Sequence, residues 1–73
     1  MSSNLNAVVQ SLEGALQSGR KFKVELYFEL IDGESVVDFV VNENGDQVDF
    51  DSDYPNIKSA LIALGKWFKQ EVK

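Results

Sequence analysis

Residues 22–51, FKVELYFELIDGESVVDFVVNENGDQVDFD, decide the fold. Apolar and polar side chains alternate along them with a period of two, the pattern of strands that bury one face. Phe22, Val24, Leu26, Phe28 and Leu30 fall on one side of the first strand; Lys23, Glu25, Tyr27, Glu29 and Ile31 fall on the other. Asp32-Gly33 and Asn44-Gly45 are two-residue hairpin turns, since Gly accepts φ > 0 freely and Asp or Asn tolerates it. The expected strands span about 22–31, 35–42 and 46–51.

Turn length sets the pairing. A two-residue Asp32-Gly33 turn opposes Phe28 to Val37, Leu26 to Phe39 and Val24 to Val41. An uninterrupted ladder from Asn44-Gly45 then opposes Val41 to Val48, Phe39 to Phe50 and Asp38 to Asp51. All apolar residues in these pairs share a face, and a one-residue slip would mix the faces.

Upstream, Leu5, Val8, Val9, Leu12, Ala15 and Leu16 recur at helical spacing, predicting an amphipathic helix over 4–18. Ser3 or Asn4 can cap it, and Gly19 is the expected C′ stop. Gly14 inside it costs about 1 kcal/mol relative to Ala and is a candidate for close packing. Downstream, Ser52-Asp53-Tyr54-Pro55 reads as a capped helix start. Ile57, Ala60, Leu61, Leu64 and Phe68 form the apolar stripe of a helix over 55–71, with Trp67 on its flank. Lys58, Lys66, Lys69 and Lys73 lie on the opposite side. The expected architecture is a single α+β domain of order α-β-β-β-α over 1–73, a three-stranded antiparallel meander with both helices packed on one face. Its expected core combines the first-helix stripe with Phe22, Leu26, Phe28, Phe39, Phe50, Leu61, Leu64 and Phe68.

At 73 residues without Cys or His, the chain lacks disulfides, thiolate nucleophiles and the commonest general base and transition-metal ligand. Met-Ser-Ser-Asn has neither a basic n-region nor an apolar h-region, so no secretory signal is expected, and no apolar run reaches membrane-spanning length. A cytoplasmic protein fits this composition. Net charge is −5, which disfavours direct nucleic-acid binding, because that begins with phosphate neutralisation. Between Val24 and Ile57 lie ten acidic residues and no Lys or Arg; all seven basic residues lie outside.

The candidate site is the outer sheet face. Glu25, Tyr27, Glu29, Asp38, Asp49 and Asp51 are its expected contact set, with Asn44 and Asp46 at the hairpin tip. Like charges opposed across a sheet destabilise it by some tenths of a kcal/mol. Carboxylates around Tyr27, Val36 and Val40 suit an Arg- and Lys-rich protein surface, where acids steer and apolar groups anchor. The plain alternative is a solvated face, with edge charge discouraging strand addition. Asp49-Phe50-Asp51-Ser52-Asp53 fails as a calcium loop, because Tyr54 stands where Gly is needed and Ala60 where the bidentate Glu is needed. No cofactor or metal is expected. Serines without a His or Lys partner, and paired carboxylates without a cleft, argue against an enzyme.

The order and length of elements resemble a double-stranded-RNA-binding domain. That family's lysine cluster at the last helix is replaced here by Asp51, Ser52, Asp53, Tyr54 and Pro55, with Lys58 alone, so the resemblance extends to topology and not to activity. Over about residues 36–71, the strand ending Val41-Asn42-Glu43-Asn44-Gly45, the acidic third strand and Gly65-Lys66-Trp67-Phe68 resemble some phage anti-CRISPR inhibitors. That resemblance implies a small acidic protein that imitates DNA at the Arg-lined site where a guide-RNA nuclease reads its PAM, with Asn44, Gly45, Asp46 and Gln47 carried over. The expected function is a non-enzymatic inhibitor or adaptor, a monomer or small homo-oligomer, that engages a basic protein partner and neither nucleic acid directly nor a membrane. The alternative is a structural or assembly protein that self-associates through its sheet face or edge.

Overall fold

The computed structural model describes residues 3–72, apart from the Ser3 side chain. Helix α1 spans Ser3–Gln17, strands β1, β2 and β3 span Phe22–Ile31, Glu34–Glu43 and Asp46–Tyr54, and helix α2 spans Ile57–Glu71. This is the expected α-β-β-β-α order, and the strands form one antiparallel meander. Capping by Ser3 and the position of Lys73 lie outside what is described.

Both hairpin turns form. Asp32 and Gly33 have φ of 52° and 79°, and Asn44 and Gly45 have 54° and 87°, the pair of positive values a type I′ turn requires. The β1–β2 register matches the sequence reading throughout: Phe28 faces Val37, Leu26 faces Phe39 and Val24 faces Val41.

The β2–β3 register departs from the expectation. Glu43 pairs with Asp46 and Asn42 with Gln47, as the turn dictates, but Val41 then pairs with Asp49. Val48 is therefore an extra residue, a β-bulge. Beyond it Val40 faces Phe50 and Phe39 faces Asp51, so every side chain there lies on the face opposite to the one expected. A second irregularity brings Tyr54 opposite Val37, with Asp53 in the left-handed region at φ 68°.

Two gains account for the shift. Tyr54 stacks on Phe39, with ring centroids 5.9 Å apart, a contact of about 1 kcal/mol beyond area burial. Asp38, which an uninterrupted ladder would set against Asp51, instead accepts a hydrogen bond from the Asp53 backbone N–H at 3.0 Å. Strand β3 accordingly runs three residues beyond the expected end at 51, and Ser52 and Asp53 do not cap the helix. Asn56 is the N-cap of α2, its Oδ1 accepting from Ser59 N at 2.8 Å.

The buried core is Val8, Ala15, Val37, Phe39, Val41, Ala60, Leu64 and Phe68. Phe28 and Phe50, both expected inside, are exposed, as are Leu5, Val9, Leu12 and Leu16 of the first-helix stripe: Phe50 is turned outward by the bulge, and Phe28 is left uncovered beside Ile57 at the start of α2. Phe22 closes one end, edge-on to Phe68 at 5.0 Å and to Trp67 at 6.3 Å. Helix α2 rests on the sheet through Ala60, Leu64 and Phe68, while α1 leans chiefly on α2 and reaches the shared core through Ala15. Close helix packing falls at Gly65, against Val8, and not at Gly14, which has nothing within 4 Å of a β-carbon position.

Arg20 ties three segments together. Its Nε and a terminal nitrogen hold the Glu43 carboxylate at 2.7 and 2.8 Å, and the other terminal nitrogen donates to the Glu71 carbonyl at 3.2 Å. The guanidinium also lies 5.0 Å from the Phe22 ring centre. The bidentate pairing raises the Arg20 pKa and lowers that of Glu43.

Candidate protein-interaction surface

The meander positions the outer face one cross-strand row at a time. Lys23, Asn42 and Gln47 form one row, Glu25, Val40 and Phe50 the next, then Tyr27 with Asp38, and Glu29 with Val36. Four expected site residues, Glu25, Tyr27, Glu29 and Asp38, therefore share this face. The Tyr27 hydroxyl donates to Glu25 Oε2 at 3.2 Å, which raises the phenol pKa. A depression of about 240 Å³ on this face is lined by Tyr27, Phe28, Glu29, Val36 and Asp38.

Asp49 and Asp51 do not join them. They lie on the helix-bearing side of β3, opposite Val41 and Phe39. Asp51 accepts the Tyr54 hydroxyl hydrogen bond and holds that phenol at a pKa pushed up to about 12. The Asp49 pKa is raised by partial burial, and by the neighbouring charges of Asp51 and Glu71, against a lowering backbone hydrogen bond from Phe50. Asp46 is exposed opposite Glu43. Asn44, in the turn, donates its N–H to the Lys21 carbonyl at 3.1 Å, so the tip is anchored to the α1–β1 connection.

The acidic residues thus occupy both sides of the sheet rather than one. Phe50 joins the outer face at 53% exposure, which the sequence reading missed. The signal was available: the uninterrupted ladder set Asp38 against Asp51, and a bulge removes that clash. Among the described residues the ion pair present is Arg20–Glu43, so no helix lysine neutralises the outer carboxylates. Also among the described residues, no three potential metal-ligating side chains converge, and no helix is long and apolar enough to cross a membrane. No protein-family model matches the chain, and no curated protein or solved structure matches it.

Proposed function

We propose that this chain is a non-enzymatic inhibitor or adaptor, acting in the cytoplasm, that presents its acidic sheet to a basic protein surface such as that of a nuclease or another nucleic-acid-binding factor. The outer-face depression carries this reading. Tyr27 offers an aromatic face, Val36 an aliphatic floor, and Glu29 and Asp38 two carboxylates. An Arg or Lys side chain entering it would gain cation–π and charge-assisted contacts together. Phe50 and Val40, in the neighbouring row, supply apolar area for an anchor from the same partner. The carboxylates along β3 extend the negative field around the edge of the sheet, as a nucleic-acid mimic requires. The resemblance to anti-CRISPR inhibitors makes a guide-RNA nuclease one partner to try.

The experiment is capture of nucleic-acid-binding proteins by the immobilised chain at low and high salt, compared with a Glu25→Lys/Glu29→Lys variant. These positions suit the test because Asp38 and Asp51 make hydrogen bonds that shape β3. Capture should fall with salt, which screens exposed charges beyond about 10 Å at 0.1 M, and should vanish in the variant. Capture that survives both would refute the reading. Self-association through the outer face would use the apolar Val40 and Phe50 of one row, but a two-fold contact there would oppose the Glu25, Glu29 and Asp38 of one copy to those of the other.

A further inference from the structure

A second surface lies on the helix-bearing side and meets the acidic one at Phe28 and Glu29. Leu5, Val9, Leu12 and Leu16 of α1 are exposed, Leu16 to 71%, and so are Phe28 and Leu30 of β1, to 65% and 73%. Phe28 and Leu30 share the sheet face of the buried Val37. On α1, Val8 meets Gly65, while Ala7, Ser11 and Gly14 line crevices with Ile62, Lys66 and Lys69, on the side of α2 turned from the sheet. At about 100° per residue, Leu5, Val9, Leu12 and Leu16 fall on the opposite flank of α1, toward the sheet. On the helix-bearing side of the sheet, Phe28, Leu30, Val37 and Ile57, with Glu29, Ser35 and Asn56, line a largely apolar groove of about 390 Å³ between β1 and the start of α2.

We propose that this apolar surface is the interface of a homodimer, each copy covering the exposed flank of α1 and the open end of the sheet of the other. Area is the first argument. The chain exposes 5183 Å², whereas a compact monomer of 8.2 kDa exposes about 4500 Å². The excess, about 700 Å² per chain, approaches the roughly 800 Å² per partner that a standard interface buries. The radius of gyration, 12.7 Å, likewise exceeds the about 11 Å of a compact chain of this length.

Charge is the second argument, and it selects a second copy as the occupant. Two chains of net charge −5 can meet only where carboxylates stay apart. Helix α1 carries a single ionisable side chain, Glu13, in its 15 residues, and the groove is lined by a single one, Glu29. A basic partner finds at most one carboxylate on each patch to steer it. A two-fold axis satisfies both patches reciprocally.

Sedimentation equilibrium of the intact chain over about a hundredfold range of concentration tests this. The expected result is a species of twice the 8.2 kDa chain mass, insensitive to salt, with Leu16→Glu and Leu30→Glu each raising the dissociation constant at least tenfold. Both side chains are more than two-thirds exposed in the single chain, so the substitutions disturb no core contact. Should either variant nevertheless unfold, the wild-type thermal midpoint decides: it should rise with protein concentration, and a constant midpoint overturns the proposal. A wild-type monomer throughout, or a dimer untouched by both substitutions, also overturns it. So does a dimer dissociated by salt or by Glu25→Lys, which would place the contact on the acidic face, since Glu25 lies on the outer side of the sheet.

Discussion

Val8 of α1 sits directly on Gly65 of α2: a β-carbon at position 65 would lie 3.0 Å from the Val8 Cα. The obstructing atom belongs to backbone, so the helices would have to part to admit even a methyl group. Gly65→Ala should therefore lower stability by about 1–2 kcal/mol despite the better helix propensity of Ala. Gly14→Ala, with nothing within 4 Å, should raise it by up to about 1 kcal/mol. Denaturant unfolding of the two variants at one protein concentration reads both signs.

The bulge at Val48 makes opposite demands on two phenylalanines. Phe39 is buried to 1% exposure beneath α2, and Phe39→Ala should cost about 3–5 kcal/mol. Phe50, turned outward beside Val40, should lose less than about 1 kcal/mol on the same substitution. Equal losses at the two sites in chemical unfolding would restore the uninterrupted ladder.

How far the sequence could be read depends on the reach of each signal. Asp32-Gly33 and Asn44-Gly45 were legible because the turn requirement is local to two residues, and the β1–β2 register followed from it. Both helices were legible from their apolar spacing, and Gly19, at φ 79°, ends α1 as expected. The bulge was not legible, because counting from a turn assumes an unbroken ladder, whereas Val48 leaves it to bring Tyr54 onto Phe39. That one residue moved Asp49 and Asp51 out of the candidate site and Phe50 into it. Asn56 displaced Ser52 and Asp53 as the cap for the same reason, since the strand had not yet ended. The exposure of Phe28 and Leu30 was equally hidden, because alternation reports which face is apolar and not how much of it a helix covers.

Tyr54 and Asp51 supply a spectroscopic check. A phenol donating to a carboxylate loses that bond on ionising, so its pKa rises, here to about 12. A phenolate absorbance titration should show Tyr54 ionising near that value, and Asp51→Asn should return it toward the ordinary range. Because the folded pKa is the higher one, the stabilisation is complete below pH about 10 and is lost as pH rises toward the folded value.

Acid should act with opposite signs at Glu43 and Asp49. Arg20 lowers the Glu43 pKa, so its contribution is present above the unfolded carboxylate pKa and disappears as pH falls through the lower folded value. Partial burial raises the Asp49 pKa, so the ionised group destabilises the fold at neutral pH and the penalty fades as pH falls through that raised value. Glu43→Gln should thus weaken the protein at neutral pH and Asp49→Asn should strengthen it by a few tenths of a kcal/mol. Both differences should shrink toward zero in acid unfolding profiles.

Because Val48 stands outside the ladder, the chain can change length there without consequence for the pairing downstream. Removing that codon would leave Asp49 opposite Val41 and every later side chain on its present side. Losing a residue from the middle of the second strand would instead turn the remainder of that strand inside out. Insertions and deletions should therefore be tolerated very unevenly along this sheet, with Val48 as the place where a shorter chain keeps the same surface.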